Sequence, residues 1–452
     1  MIELKEKVKN HTVRQEHRSL PWSSSEYTRD RIGYIERAKN TYGNVAKFRW
    51  GVFPILLISE PDLIQQVLVT EAHNFKKGPI LTNNRAFFGN GLLSSEGNYW
   101  KRQRKLASPA FTSKRLEEYA QIMVEHGIAM LNSWHSGQTL EIQHEMMKLT
   151  LAITTKTFFD TEISLDDQDF EHRLHTLEKL LAQRINNIPM LMLPDWVPFP
   201  TNIRLRSAIK KVDEVIYGLI KERRSKTGNH NDLLSLLIDA KDEDDGSAMS
   251  DQQIRDEVFT LFFAGHETTA LALTWTLWLI AKHPQVERQV LEELQHVLNG
   301  RRPTAADYWS LRYIEKVVKE SMRLRPPAWA MARRAIRDCV IGDLKVKNGT
   351  AILISQWLMH HDERYFKDAE TFDPDRWNNN FSETLPKFAY FPFGGGPRIC
   401  IGNGFAMTET VLLLAMIMQK YHLSPVPDHP VELLAGITLR AAYGIKMTLG
   451  KR

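Results

Sequence analysis

The chain has 452 residues, 43% of them apolar and 25% charged, an ordinary globular balance with material for a large core. Its 59 basic and 54 acidic residues leave a net charge of +5, a mild excess that by itself points to no nucleic-acid partner, and no nucleic-acid motif is present. Two cysteines far apart, Cys339 and Cys400, make a disulfide framework implausible and fit a reducing compartment.

In chain order, the N-terminal MIELKEKVKNHTVRQEHRSL is basic without an apolar core, so it reads as neither signal peptide nor membrane anchor. The first forty residues read as polar helix and loop. Residues 44–58 give two short β-rich runs broken by Gly51 and Pro54, a hairpin pattern, and Pro61 marks a helix start. Residues 76–98 read as a long irregular segment rich in Gly, Asn and Ser, with Phe87 and Phe88 at its middle. Such segments in a compact protein are usually functional or disordered. A helix is expected from about Tyr99, carrying Trp100, Lys101, Arg102, Arg104 and Lys105. Residues 116–159 are helical with one break near Ser136-Gly137.

A proline-rich connection, LPDWVPFPT, leads into an amphipathic helix marked by Leu205, Ile209, Val212, Ile216 and Leu219. KDEDDGSAMS at 241–250 is an acidic, solvated loop. Ser250 and Gln253 then form a capping-box pattern. It opens a long apolar helix that runs to His283-Pro284, roughly 48 Å at 1.5 Å per residue. Its FTLFFAGHETTALALTWTLWLIA has the length of a membrane span, but His266 and Glu267 in the middle argue for a buried central helix. A further helix after Leu311 ends at Arg325-Pro326-Pro327. Short strands follow at 340–341, 344–346 and 351–355, with Asn348-Gly349 as a turn, and a last β-like stretch covers 437–449. No linker or repeat divides the chain. The expectation is one large, mainly α domain with small β-sheets over residues 1–452.

The chemistry concentrates in FPFGGGPRICIGNGFA, 391–406. Cys400 precedes an apolar run of helical spacing, where the helix dipole and free N–H groups favour a thiolate and glycines permit close approach to the backbone. A lone cysteine is more often a buried small hydrophobe, and zinc would want further ligands close by. The spacing of Phe393, Gly396, Arg398, Cys400 and Gly402 goes beyond that. It resembles the cysteine-ligand loop of the cytochrome P-450 family, F-x-x-G-x-R-x-C-x-G. Three more stretches are similar to the family's motifs and stand in the right order. Ala264 to Thr269 matches A-G-x-(D/E)-T-(T/S), although a Thr268 hydroxyl bonded back to the Ala264 carbonyl is the ordinary expectation for such a residue. Glu320 and Arg323 match E-x-x-R, completed by Arg376 in FDPDRW; spacing alone suggests only a weak surface pair. Trp100 and Arg104 match W-x-x-x-R. The resemblance covers about residues 99–406.

The resemblance implies a single cytochrome P-450-like domain with a long central helix over haem b. Cys400 would be the axial ligand of the haem iron, with Phe393 packed beside the thiolate. Trp100, Arg104, Arg333 and Arg398 would meet the propionates, with Arg334 beside Arg333 leaving that assignment open. Thr268 would hydrogen-bond dioxygen in a groove at Ala264, and Glu267 would relay protons. Glu320, Arg323 and Arg376 would form a buried structural network. Substrate would contact Phe87, Phe88, Leu261, Ala264, Ala328, Trp329, Ala330, Ile437 and Thr438, although Phe87, Phe88 and Trp329 read equally well as core. His360 and His361 read as a loop feature rather than as ligands. Lys101, Arg102 and Lys105 could receive an acidic ferredoxin or flavodoxin served by an NAD(P)H reductase, although solvated charge is their ordinary meaning.

The implied activity is a monooxygenase that inserts one atom of dioxygen into an apolar fatty acid, terpene or steroid. The expected enzyme is soluble, bacterial in type and cytoplasmic, with neither a membrane anchor nor a flavin domain of its own. The rival readings are a haem-thiolate peroxygenase or hydroperoxide-rearranging enzyme, and a non-catalytic haem carrier or gas sensor.

Overall fold

The central helix sets the frame. Ser250 accepts from the Gln253 amide and Gln253 reaches back to the Ser250 amide, so the expected capping box closes the start of a helix spanning Asp251–Ala281. The computed structural model describes residues 24–452 apart from 51–52, 162–167, 188–189, 191–195, 226–231 and 244. From Ile254 to Leu277 every residue of the central helix is buried except Ala264, Gly265 and Thr268. A helix apolar on all sides belongs inside a protein, and this one is covered by other helices along its length. Ser113–Ser133, Ile142–Phe159, Arg312–Leu324 and Asn403–Lys420 build the largest core cluster around its C-terminal half. Gln168–Asn186, Pro200–Ser225 and Leu233–Asp239 pack a second cluster around its N-terminal half. Leu205, Ile209, Val212 and Ile216 are buried there, as their spacing predicts.

The strands are β1 (Val45–Trp50), β2 (Phe53–Ile58), β3 (Phe75–Lys77), β4 (Thr139–Glu141), β5 (Met331–Ala335), β6 (Cys339–Ile341), β7 (Leu344–Val346), β8 (Ala351–Ile354), β9 (Tyr421–Pro425), β10 (Leu433–Ala435), β11 (Leu439–Ala441) and β12 (Lys446–Lys451). They form one five-stranded sheet in the order β1-β2-β8-β5-β3, one three-stranded sheet, β4-β12-β9, and two pairs, β6-β7 and β10-β11. In the large sheet β2 runs parallel to β8, with Leu57 opposite Leu353, and the other pairings are antiparallel. The architecture is therefore mainly helical with small sheets.

Several details differ from the sequence reading. The hairpin at 45–58 is present, but Pro54 lies inside β2, near its start where a missing N–H is tolerated; Gly51 lies outside the described residues, as does most of the N-terminal polar stretch. Residues 76–98 are not irregular throughout: they hold the short helices Pro79–Thr82 and Arg85–Phe88, and Asn84 donates to the Ile80 carbonyl at 2.7 Å between the two. Strand β5, MARRA, has little β-propensity and forms because both β8 and β3 pair with it. The break near Ser136-Gly137 also contains β4. Among the described residues no helix is long and apolar enough to cross a membrane.

Candidate active site

The cysteine loop folds back on itself through main-chain bonds. The Cys400 amide donates to the Phe393 carbonyl at 3.0 Å and the Gly394 amide to the Phe391 carbonyl at 2.9 Å. Gly396 has φ +70°, and a Cβ there would lie 2.1 Å from the Leu68 carbonyl oxygen, so no other residue fits this bend. The helix Asn403–Lys420 starts immediately afterwards. Cys400 keeps an accessible surface although protein crowds around it. One expectation is corrected here. Burial pushes the Cys400 thiol pKa up, and the Gly402 backbone bond and the Arg104 guanidinium, which pull it down, are the smaller causes. In the protein alone desolvation outweighs the helix terminus.

Behind the loop lies a closed charge network. Arg323 binds Glu320 through Nε at 2.9 Å and Nη2 at 2.8 Å, and both side chains are fully buried. The remaining Arg323 hydrogens go to the carbonyls of His360, Ala369 and Thr371 at 2.8, 2.6 and 3.1 Å. Glu320 also accepts from Arg376 Nε at 3.4 Å, Trp377 Nε1 at 2.9 Å and the Asp373 amide at 3.2 Å. The pair is therefore no surface bridge, because tertiary contacts satisfy every side of it. His360, read above as a loop feature, ties the network to the loop: its Nε2 accepts the Phe391 amide at 3.0 Å. Burial, then His361 and Arg323, hold its pKa well below the usual imidazole value, so it is neutral and can accept.

In front of the loop the balance is different. The register of β3 on β5 sets Lys77 opposite Arg333, a like-charge pair that a sheet disfavours. Arg333 is half-buried, whereas Arg334 is exposed. Arg398 lies close enough to depress both, and its guanidinium stacks over the Trp100 ring at 4.7 Å. Burial, reinforced by Arg398, pushes Lys77 down to about 7 and Arg333 down to about 10. Two carboxylates stand against the three cations. Glu96 pairs with Arg398 and accepts the Lys77 amide. Glu257 is itself pushed up to about 7 by burial. The site carries surplus positive charge, buried at Lys77 and half-buried at Arg333 and Arg398, which a group bearing carboxylates would balance. The residues therefore fit a haem with its two propionates. Arg104 lies 6.0 Å from the Trp100 ring and donates to the Ile399 carbonyl at 2.8 Å, so in this structure it braces the cysteine loop itself.

On the central helix Thr268 Oγ1 donates to the Ala264 carbonyl at 2.8 Å and Thr269 Oγ1 to the Gly265 carbonyl at 3.1 Å. Two consecutive bonds of this kind loosen a turn, and this is the one turn between Ile254 and Leu277 with accessible surface. Glu267 is buried, and its Oε1 accepts from Thr438 Oγ1 and from Arg440 Nε at 2.7 Å. The sequence reading missed Arg440, and Thr438, expected in a substrate pocket, is a buried partner of the acid.

The other expected pocket residues divide. Phe87 and Phe88 have no exposed surface, and Phe87 meets Phe259 and Phe263 edge-on at 5.1 Å each. Leu261 is buried in the same cluster. Trp329 packs under the large sheet and donates to the Gly436 carbonyl at 3.0 Å. The core alternative thus describes Phe87, Phe88 and Trp329. Ala328 and Ala330 are half-buried and Ile437 is exposed. Of the basic residues beside Trp100, Lys101 is exposed, whereas Arg102 pairs with Asp242 and Lys105 with Glu243, both at 2.9 Å.

Comparison with known proteins places the sequence and the fold in one family. The cytochrome P450 family profile matches residues 20–442. Cyclooctatin synthase of Streptomyces melanosporofaciens is 35% identical over 403 residues, covering 88% of this chain and 87% of its own. Cyclooctat-9-en-7-ol 5-monooxygenase of the same organism is 34% identical over 388 residues, covering 85% and 84%. Pentalenene oxygenase of Streptomyces avermitilis is 30% identical over 417 residues, covering 91% of each. Among solved structures, a cytochrome P450DA heme domain matches with a TM-score of 0.87 at 26% identity, over 96% of this chain and 97% of that one. Likeness in sequence and in fold along almost the whole length makes this chain a member of the cytochrome P450 family of monooxygenases.

Proposed function

We propose that the protein is a haem-thiolate monooxygenase acting on an apolar substrate. It would take dioxygen as co-substrate and electrons from a ferredoxin or flavodoxin with its NAD(P)H reductase. The observation that carries this reading is the surplus of positive charge at the buried Lys77 and the half-buried Arg333 and Arg398, the last of them two residues before the accessible Cys400. Arg333, Arg398 and Trp100 would hold the propionates of haem b and Cys400 its iron, with Phe393 alongside. Bound there, haem with a thiolate ligand supplies the activation of dioxygen.

The chain's own contributions follow from its geometry. The buried aromatic and aliphatic cluster of Phe87, Phe88, Phe259, Leu261 and Phe263 packs behind the N-terminal half of the central helix as core and keeps that side dry. Thr268 Oγ1 presents a hydroxyl at the one accessible turn of the central helix between Ile254 and Leu277. Glu267 lies next to it in sequence, and a proton passing through that carboxyl must compete with its bonds to Thr438 and Arg440. Among fatty acids, terpenes and steroids, a terpene substrate is favoured by relatives named for cyclooctat-9-en-7-ol and pentalenene.

The test is a purified, haem-loaded enzyme. Its reduced carbon-monoxide complex should show the red-shifted Soret band of thiolate ligation, and Cys400→Ala retaining that band would sink the assignment. Cyclic terpenes should shift the spin state and be hydroxylated with ferredoxin, reductase and NAD(P)H. The clamping of Glu267 by Arg440 favours one rival, a peroxygenase, which would turn over with peroxide and not with the reductase system.

A further inference from the structure

One acid stands among the cations in front of the cysteine loop. Glu96 is the N-cap of the helix Gly97–Ala107, with extended backbone, yet its side chain binds none of that helix's free amides. A side chain that accepts hydrogen bonds at this position ordinarily caps its own helix. Here the carboxylate serves two other elements. Its Oε1 accepts the Lys77 amide of β3 at 2.7 Å, and its Oε2 pairs with Nη2 of Arg398 on the cysteine loop. The two side chains are only 15% and 19% exposed, so this is not the solvent-screened kind of pair.

The neighbours of Glu96 complete the hold. The Ser95 carbonyl accepts from Lys77 Nζ at 2.9 Å and from Arg398 Nη1 at 3.4 Å. One turn further along the helix, the Trp100 ring lies 4.7 Å from the Arg398 guanidinium. Arginine has five N–H donors. Among the described residues Arg398 spends one on Ser95 and one on Glu96, which leaves three for a ligand. Burial and Arg398 disfavour the charges of Lys77 and Arg333, and Glu96 is the carboxylate that acts most strongly the other way. Glu257, the other acid of this region, spends its oxygens on the Leu92 amide and Gln103.

We propose that Glu96 is a positioning residue for the cofactor site: it holds Arg398 with donors free for a propionate, and its negative charge lowers the reduction potential of a haem bound there. The first role follows from the bonds above. The second is Coulombic, because adding an electron to a cofactor is harder beside a fixed negative charge, and poorly screened charges act strongly. Both roles rest on the haem reading of the proposed function; the hold of Glu96 on Arg398 does not.

The test uses Glu96→Gln, Glu96→Asp, Arg398→Met and the double variant Glu96→Gln/Arg398→Met, each loaded with haem. Haem transfer to an acceptor globin and the midpoint potential are the readouts. Glu96→Gln should release haem several-fold faster than wild type, and Arg398→Met faster still. The double variant should release it no faster than Arg398→Met, because Glu96 acts through that arginine. Effects that multiply in the double variant, or wild-type release from Glu96→Gln, overturn the positioning role. Glu96→Gln should move the potential upward and Arg398→Met downward, a contrast of sign that a merely structural pair would not produce. Glu96→Asp keeps the charge and shortens the reach, so it should release haem faster at the wild-type potential. A Glu96→Gln potential at or below wild type, or a Glu96→Asp potential equal to that of Glu96→Gln, overturns the charge role. If Glu96→Gln does not fold, faster release from Glu96→Asp at the wild-type potential supports the proposal, and wild-type release overturns it. Wild-type protein that takes up no haem would defeat the haem reading instead. A urea-unfolding cycle on the haem-free protein would still decide the hold on Arg398: the two residues should be coupled, and additive losses overturn it.

Discussion

The two charged regions on either side of the cysteine loop are built to opposite rules. Behind it, Glu320 and Arg323 are fully buried and every donor and acceptor is met by protein. In front of it, Lys77 and Arg333 face each other across a sheet with Arg398 close by, and their charges are not balanced. A buried ion network stabilises only when it is complete. The first region is complete and serves the fold. The second is incomplete in the protein alone, and its deficit has the sign and position that an acidic cofactor would correct. Burial of charge by itself therefore does not distinguish a structural network from a binding site; the balance of charge does.

The largest expected effect lies in the complete region. Glu320→Ala should destabilise the protein by about 3–5 kcal/mol in urea unfolding, because it strands Arg323 in the core. A loss near zero would show that the network is no more than a surface pair.

The pH dependence of the haem-free protein should show the same division as two separate limbs. Burial holds His361 down to about 3 from its ordinary 6.5, so below 6.5 the unfolded chain binds a proton that the folded one refuses. Stability is therefore lost as the pH falls below about 6.5. Lys77 is held at about 7 from its ordinary 10.5, so between those values the unfolded chain again binds more protons. Stability therefore rises with pH over that alkaline window, and Lys77→Met should remove the rise. An unchanged alkaline limb in Lys77→Met would argue against a strained cation there.

Arg333→Met should reverse the usual sign of a core mutation. The haem-free protein should gain about 1–2 kcal/mol by exchanging an uncompensated, half-buried charge for packing, while the holoenzyme releases haem faster in a transfer assay. Loss of stability in both forms would mean that Arg333 is structural after all. The smallest effect belongs to the rim. Lys105→Ala breaks an exposed pair with Glu243 and should change stability by about 0.5 kcal/mol or less, while any change in the rate of reduction by a ferredoxin would mark this face as a partner surface.

Much of the molecule was legible in the chain because its signals are local. The capping box at Ser250, the apolar run behind it, the i,i+3 spacing of Glu320 and Arg323 and the glycine-rich approach to Cys400 are read from neighbours in sequence, and each has the expected local conformation. The resemblance extended that reading to residues distant in sequence. What tertiary structure alone decided concerns side chains whose partners come from elsewhere. Strand β5 forms against its propensity because two strands flank it. Lys77 meets Arg333, and Glu267 meets Arg440, across separations that no spacing rule covers. Phe87 and Phe88 go to the core because Phe259 and Phe263 are there to receive them. Desolvation, too, is a property of the assembled fold: it raises the Cys400 thiol that the helix terminus alone would lower, and it pushes the buried Glu409 carboxyl, unremarkable in sequence, up to about 8.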